Sequence, residues 1–103
     1  MRLRHAVALA IVGWYLLVPP IADNPTDIGR APLSEWINKG SYDTAAQCRD
    51  ALNANIKYHL DRTTRLEREP YVEADVKQAT RLLYEAARSA QCVATDDPRL
   101  KIK

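Results

Sequence analysis

The chain has no phenylalanine, and only three glycines, two histidines and two cysteines among 103 residues. Each scarcity closes off a class of chemistry. Gly13, Gly29 and Gly40 stand apart and form no G-x-x-x-x-G-K pattern, so a glycine loop that cradles phosphates is excluded. His5 lies at the extreme N-terminus, and His59 has no second histidine or cysteine at ligand spacing, so no metal site and no cofactor are expected. A nucleophile needs a neighbouring base that a third group orients. With His59 the only histidine beyond the N-terminal segment, a catalytic triad is not expected, and His59 reads as a helix-flank residue. Cys48 and Cys92 are too far apart for a C-x-x-C redox motif.

An excess of positive charge is also missing. The formal net charge is +2, and two of the 15 Lys and Arg residues are Arg2 and Arg4 at the very start. Beyond them the chain is neutral, without a basic block. Nucleic-acid binding depends on a basic surface that displaces counterions from phosphates, so no nucleic-acid partner is expected. No apolar run approaches the roughly 20 residues of a bilayer-spanning helix.

What is present begins with that N-terminus. Two arginines precede an unbroken apolar stretch, residues 6–18 (AVALAIVGWYLLV), which ends at Pro19-Pro20. A basic start followed by about 7–15 apolar residues is the pattern of a secretory signal. Residues 1–13 are read as signal-like, with a cut after Gly13 or, less favourably, after Ala22. No cysteine lies nearby to serve as a lipoprotein acylation site. Export makes the protein periplasmic or secreted; an uncleaved segment would instead tether it to the inner membrane.

The remainder, residues 14–103, is expected to form one small domain. Hydrophobic residues make up 47% of the chain but crowd into its first 22 positions, and alanine supplies much of the rest. The core is therefore small. Residues 14–18 (WYLLV) are rich in β-formers, residues 21–32 in turn formers. Residues 33–39 (LSEWINK) alternate as a strand that Gly40 would end. Thr44-Ala45-Ala46-Gln47 fits a capping box, opening a helix over 44–67 whose stripe is Ala45, Cys48, Leu52, Ile56 and Leu60. Pro70 stops it. A second helix over 72–90 repeats Val72, Val76, Ala79, Leu83, Ala86 and Ala90, with Leu82 and Ala87 widening the stripe. Residues 92–95 (CVAT) read as a last strand. The fold class is α+β, in the order β-β-α-α-β: an antiparallel helix pair packed on one face of a small three-stranded sheet.

That helix pair brings the first turn of one helix beside the end of the other. Cys48 and Cys92 occupy those positions, and an oxidising compartment would join them, so a Cys48–Cys92 disulfide is expected. The segments WYLLVPP (14–20), PLSEWINKGSYDTAAQC (32–48) and CVATDDPRL (92–100) together resemble a group of small uncharacterised exported bacterial proteins. The resemblance spans about a third of the chain, and its last segment is the most distinctive. It implies export and a shared fold and brings no activity with it.

Weaker signals have bland readings. Arg62, Arg65 and Arg68 are interleaved with acidic residues and form a solvated helix face. Trp36, Tyr42 and Tyr71 are expected to fill the core. Asp96 and Asp97 could supply carboxylates to a small hydrolase, but Asp-Asp-Pro is a turn sequence, and Arg99 could pair with one of them. The reading that follows is a non-enzymatic, exported interaction module with an unknown protein partner.

Overall fold

The computed structural model describes residues 12–101, and the signal-like segment as far as residue 11 lies outside that range. Strands β1 (Trp14–Val18) and β2 (Ile37–Tyr42) are followed by helices α1 (Ala45–Glu67) and α2 (Ala74–Arg88) and by strand β3 (Gln91–Ala94). Short 3-10 turns fall at Pro25–Asp27, Leu33–Glu35 and Pro98–Lys101. The architecture is α+β in the expected order, and the sheet is antiparallel with β1 in the middle, β2-β1-β3.

Strand β1 is central because its sequence can be buried on both faces. A short apolar run without polar alternation is the mark of such a strand. Leu16 pairs with Cys92 and Tyr15 with Val93, so these pairs point to opposite faces. Cys92 is bonded into α1, which identifies the Leu16 face as the helical one. Leu16, Leu17, Val18 and Val93 are all buried, so the far face is closed as well.

The second strand departs from expectation. It occupies Ile37–Tyr42 rather than 33–39, because residues 33–35 coil into a 3-10 turn in which Pro32 and Leu33 carbonyls accept from Glu35 and Trp36 amides, at 2.9 and 3.0 Å. Pairing begins where β1 supplies a partner, at Val18 and Ile37. Gly40 does not end the strand; it pairs with Leu16. Between the Leu16–Gly40 and Leu17–Asn38 pairs the register slips by one, leaving Lys39 as the extra residue of a β-bulge. The Gly40 amide turns instead to the Asn38 side chain, donating to Oδ1 at 2.9 Å. A Cβ on Gly40 would lie 2.7 Å from the Tyr42 hydroxyl oxygen, so glycine lets that ring lie against the strand. The last strand is shifted by one residue, starting at Gln91 and ending at Ala94.

Helix α1 opens with the expected capping box. The Gln47 amide donates to Thr44 Oγ1 at 3.1 Å, and Gln47 Oε1 accepts from the Thr44 amide at 3.3 Å. It runs to Glu67, two residues short of the Glu69-Pro70 step that ends helices sterically. Its buried stripe is corrected beyond Ile56. Successive steps of four residues drift about 40° each around a helix, so Leu60 has rotated outwards and is 43% exposed. His59, Thr63 and Leu66 continue the half-buried face instead.

Helix α2 starts at Ala74, not residue 72; Glu73 keeps an extended backbone and its carbonyl accepts the first helical bond, from Lys77, at 3.1 Å. Its stripe holds from Leu82 onwards and fails before it. Thr80, Leu82, Ala86 and Ala87 are buried, Leu83 is half-buried, and Val76 and Ala79 face solvent. The seam with α1 explains this, since it is polar near the turn. Thr63 Oγ1 donates to the Thr80 carbonyl at 3.1 Å, and Arg81 pairs with Glu67 at 2.7 Å across the hairpin. Helix α1 lies against all three strands, whereas α2 leans chiefly on α1. Of the aromatic residues assigned to the core, Trp36 and Tyr42 are half-buried, but Tyr71 sits in the interhelical turn at 94% exposure.

Candidate functional site

Two features stand out: the cross-link and a pocket at the end of β1. Cys48 is in the first turn of α1 and Cys92 in β3, and their sulfurs form a disulfide with a Cα–Cα separation of 6.0 Å. The Cys48 sulfur is wholly buried and lies 3.7 Å from the carbonyl oxygen of Tyr15. The bridge therefore joins α1 to an edge strand directly over the central one.

The pocket follows from how β1 ends. Val18 hands over to Pro19-Pro20, which have no amide hydrogens and a fixed φ, so the chain leaves the sheet extended instead of turning back. The first of these prolines is fully buried. The space beside it, about 320 Å³, is bounded by Val18 to Ile21, by Ile37 and Lys39 of β2, by Asn55 and His59 of α1 and by Leu83 and Ala86 of α2. Its wall is mainly apolar. The polar side chains in it are Lys39, Asn55 and His59, and no carboxylate contributes.

These three groups share a character. Lys39 is the bulged residue of β2 and makes no ion pair among the described residues. Partial burial pushes the His59 imidazole below its ordinary pKa of 6.5, and the charges of Lys39 and Arg62 push it the same way. Both effects favour the neutral imidazole, which has one N–H to donate. The Asn55 amide nitrogen is buried and has no hydrogen-bond partner. Such orphan donors are uncommon in folded proteins. The pocket thus offers a cation and amide and imidazole donors beside an apolar wall. Among its lining residues there is neither a hydroxyl or thiol nucleophile nor a carboxylate to orient the imidazole.

Sequence reasoning placed His59 on the helix flank and did not single out Lys39 or Asn55. Asn55 and His59 are four apart, on the same face as Leu52 and Ile56, so two polar residues on an apolar stripe were a readable signal. The bulge that brings in Lys39 was not.

Asp96 and Asp97 sit at the turn after β3 and do not line this pocket. The expected pairing is with Asp97: its Oδ2 accepts from Arg99 Nη2 at 2.8 Å and its Oδ1 from the Arg99 amide at 2.9 Å. These hydrogen bonds from Arg99 hold the Asp97 carboxyl below its ordinary 3.8. Asp96 is exposed. The turn residues are thus tied into the C-terminal 3-10 segment. Arg65 and Arg68 are exposed and Arg62 half-buried, strung along the last turns of α1 and its C-cap. No metal-holding group of three His, Cys, Asp or Glu occurs among the described residues, and no helix among them is long and apolar enough to cross a membrane. Compared with protein-family models, with curated proteins and with solved structures, the chain matches none.

Proposed function

We propose that this protein is a small exported module that works in an oxidising compartment and acts by binding a protein partner, not by catalysis. The observation that carries the reading is the Cys48–Cys92 disulfide. Bridges of this kind persist outside the reducing cytosol and are commonest in small domains whose cores are thin. The basic and apolar N-terminal segment supplies a route of export. Because β1 is the central strand, a cut after Ala22 would remove the middle of the sheet. A signal compatible with the fold is cut before Trp14. The same strand argues against a permanent anchor over residues 6–18, since residues 14–18 cannot sit in the sheet and in a bilayer together.

The partner surface lies on the helical hairpin. Helix α1 has 23 residues, about 34 Å, while β1 spans about 17 Å, so the turn half of the hairpin overhangs the sheet. Leu60, Tyr71 and Val76 are exposed on that half. These three side chains are the proposed contact residues, with Tyr71 the most exposed of them and aromatic, a residue type favoured where proteins meet.

Cell fractionation with intact-mass analysis tests the proposal. The expected result is periplasmic or secreted protein that begins near Trp14 and resists alkylation until reduced. Recovery with membranes and an intact N-terminus would support the tethered alternative, and recovery from the cytosol with two free thiols would overturn export. A photo-crosslinker at Tyr71 should yield a discrete adduct that one at Asp50 does not.

A further inference from the structure

We infer that the pocket at the end of β1 binds a small aliphatic monocarboxylate, its carboxylate held by Lys39, Asn55 and His59 and its chain lying along Val18, Ile37 and Leu83. This is a separate activity from partner docking on the hairpin, and it does not depend on where the protein resides.

Three observations select this ligand class. The first is charge. The lining residues bring one ammonium and no acid, and that ammonium makes no ion pair among the described residues. A single negative charge is balanced there, whereas a dianion would carry an uncompensated charge into an apolar site. The second is hydrogen bonding. Asn55 presents a buried donor without an acceptor, and His59, which lines the pocket, adds another N–H in either protonation state. A carboxylate is an acceptor-only group with room for several donors at once. The third is size and lining. About 320 Å³ is at the lower end of small-molecule sites, room for one short chain and not a two-chain lipid. Prolines and branched aliphatics form the rest of the wall, which suits methylene groups.

The bulge in β2 gives the site its cation. Bulges redirect side chains and are enriched beside functional sites. Here the extra residue is Lys39 itself, while the neighbouring Ile37 contributes to the apolar wall.

Titration of the full disulfide-bonded protein with octanoate, followed by amide NMR, tests the inference, with 1-octanol as the uncharged counterpart of equal length. Octanoate is expected to give saturable shifts centred on Ile37, Lys39, Asn55, His59 and Leu83, and to bind about tenfold more tightly than octanol. Lys39→Gln should remove most of that difference. Lys39 is exposed, so the variant's own spectrum verifies that it is folded. The bound anion should also raise the His59 pKa. Equal affinity for acid and alcohol would overturn the carboxylate assignment. Shifts scattered over the surface, or none at all, would overturn the site; neither result bears on export.

Discussion

Thr44, Asn55 and His59 show three ways in which one polar side chain sets local energetics. Thr44 satisfies an amide at the start of α1 that has no helical partner. Thr44→Ala should therefore lower stability by about 1 kcal/mol in urea unfolding, with an unchanged slope against denaturant. Asn55 carries an unsatisfied donor, so removing the amide relieves a penalty. Asn55→Leu is expected to leave stability level or raise it, by the same measurement. His59 has its folded pKa lowered, so the unfolded chain binds its proton more readily. Its neutral form is favoured by the fold: stability is complete above about pH 6.5 and declines as pH falls towards the lower folded value. His59→Gln should flatten stability across about pH 5–7, which a series of thermal melts would show.

Among the elements, α2 is where pattern and packing part company. Its sequence stripe runs through Val72, Val76, Ala79, Leu83, Ala86 and Ala90 with Leu82 and Ala87 beside it. Leu82, Ala86 and Ala87 are buried as expected, whereas Val76 and Ala79 are exposed and Thr80 is buried instead. Val76→Ser should change stability by no more than about 0.5 kcal/mol, and Leu82→Ala should cost about 2–3 kcal/mol. Comparable costs at the two sites would restore Val76 to the buried stripe. Strand β2 shows a related limit. Alternation over residues 33–39 is genuine, but an alternating segment becomes a strand only where another strand offers its edge, and β1 offers it from Ile37 onwards.

For the whole molecule the disulfide matters most. It closes a loop spanning both helices, and in the chain-entropy model such a loop is worth about 3–4 kcal/mol. That is a large part of the roughly 5–15 kcal/mol that holds a domain together. Cys92→Ser, or reduction of the native bridge, should lower the melting temperature by well over 10 °C, read by circular dichroism. A melting temperature unmoved by reduction would mean that the alanine-rich core suffices alone. Removal of residues 12–22 should prevent folding altogether, because β2 and β3 then have no common neighbour.

The α+β class, the element order, the capping box and the cysteine pairing were all legible in the sequence. Each rests on local chemistry: β-forming residues between prolines, a hydroxyl three residues before a glutamine, and helix ends that an antiparallel hairpin brings together. The exposure of Leu60, Val76 and Ala79, the bulge at Lys39 and the pocket beside Pro19 were settled by tertiary structure. They depend on which surfaces meet. Thr80, whose carbonyl accepts from Thr63, is buried while Ala79 faces solvent, and the slip between β1 and β2 puts an extra residue at Lys39. Residues far apart in sequence, from Val18 to Ala86, line one pocket only because β1 lies between its partners and under α1. Local propensities are additive along a chain, whereas packing is a joint property of all the elements that share a core.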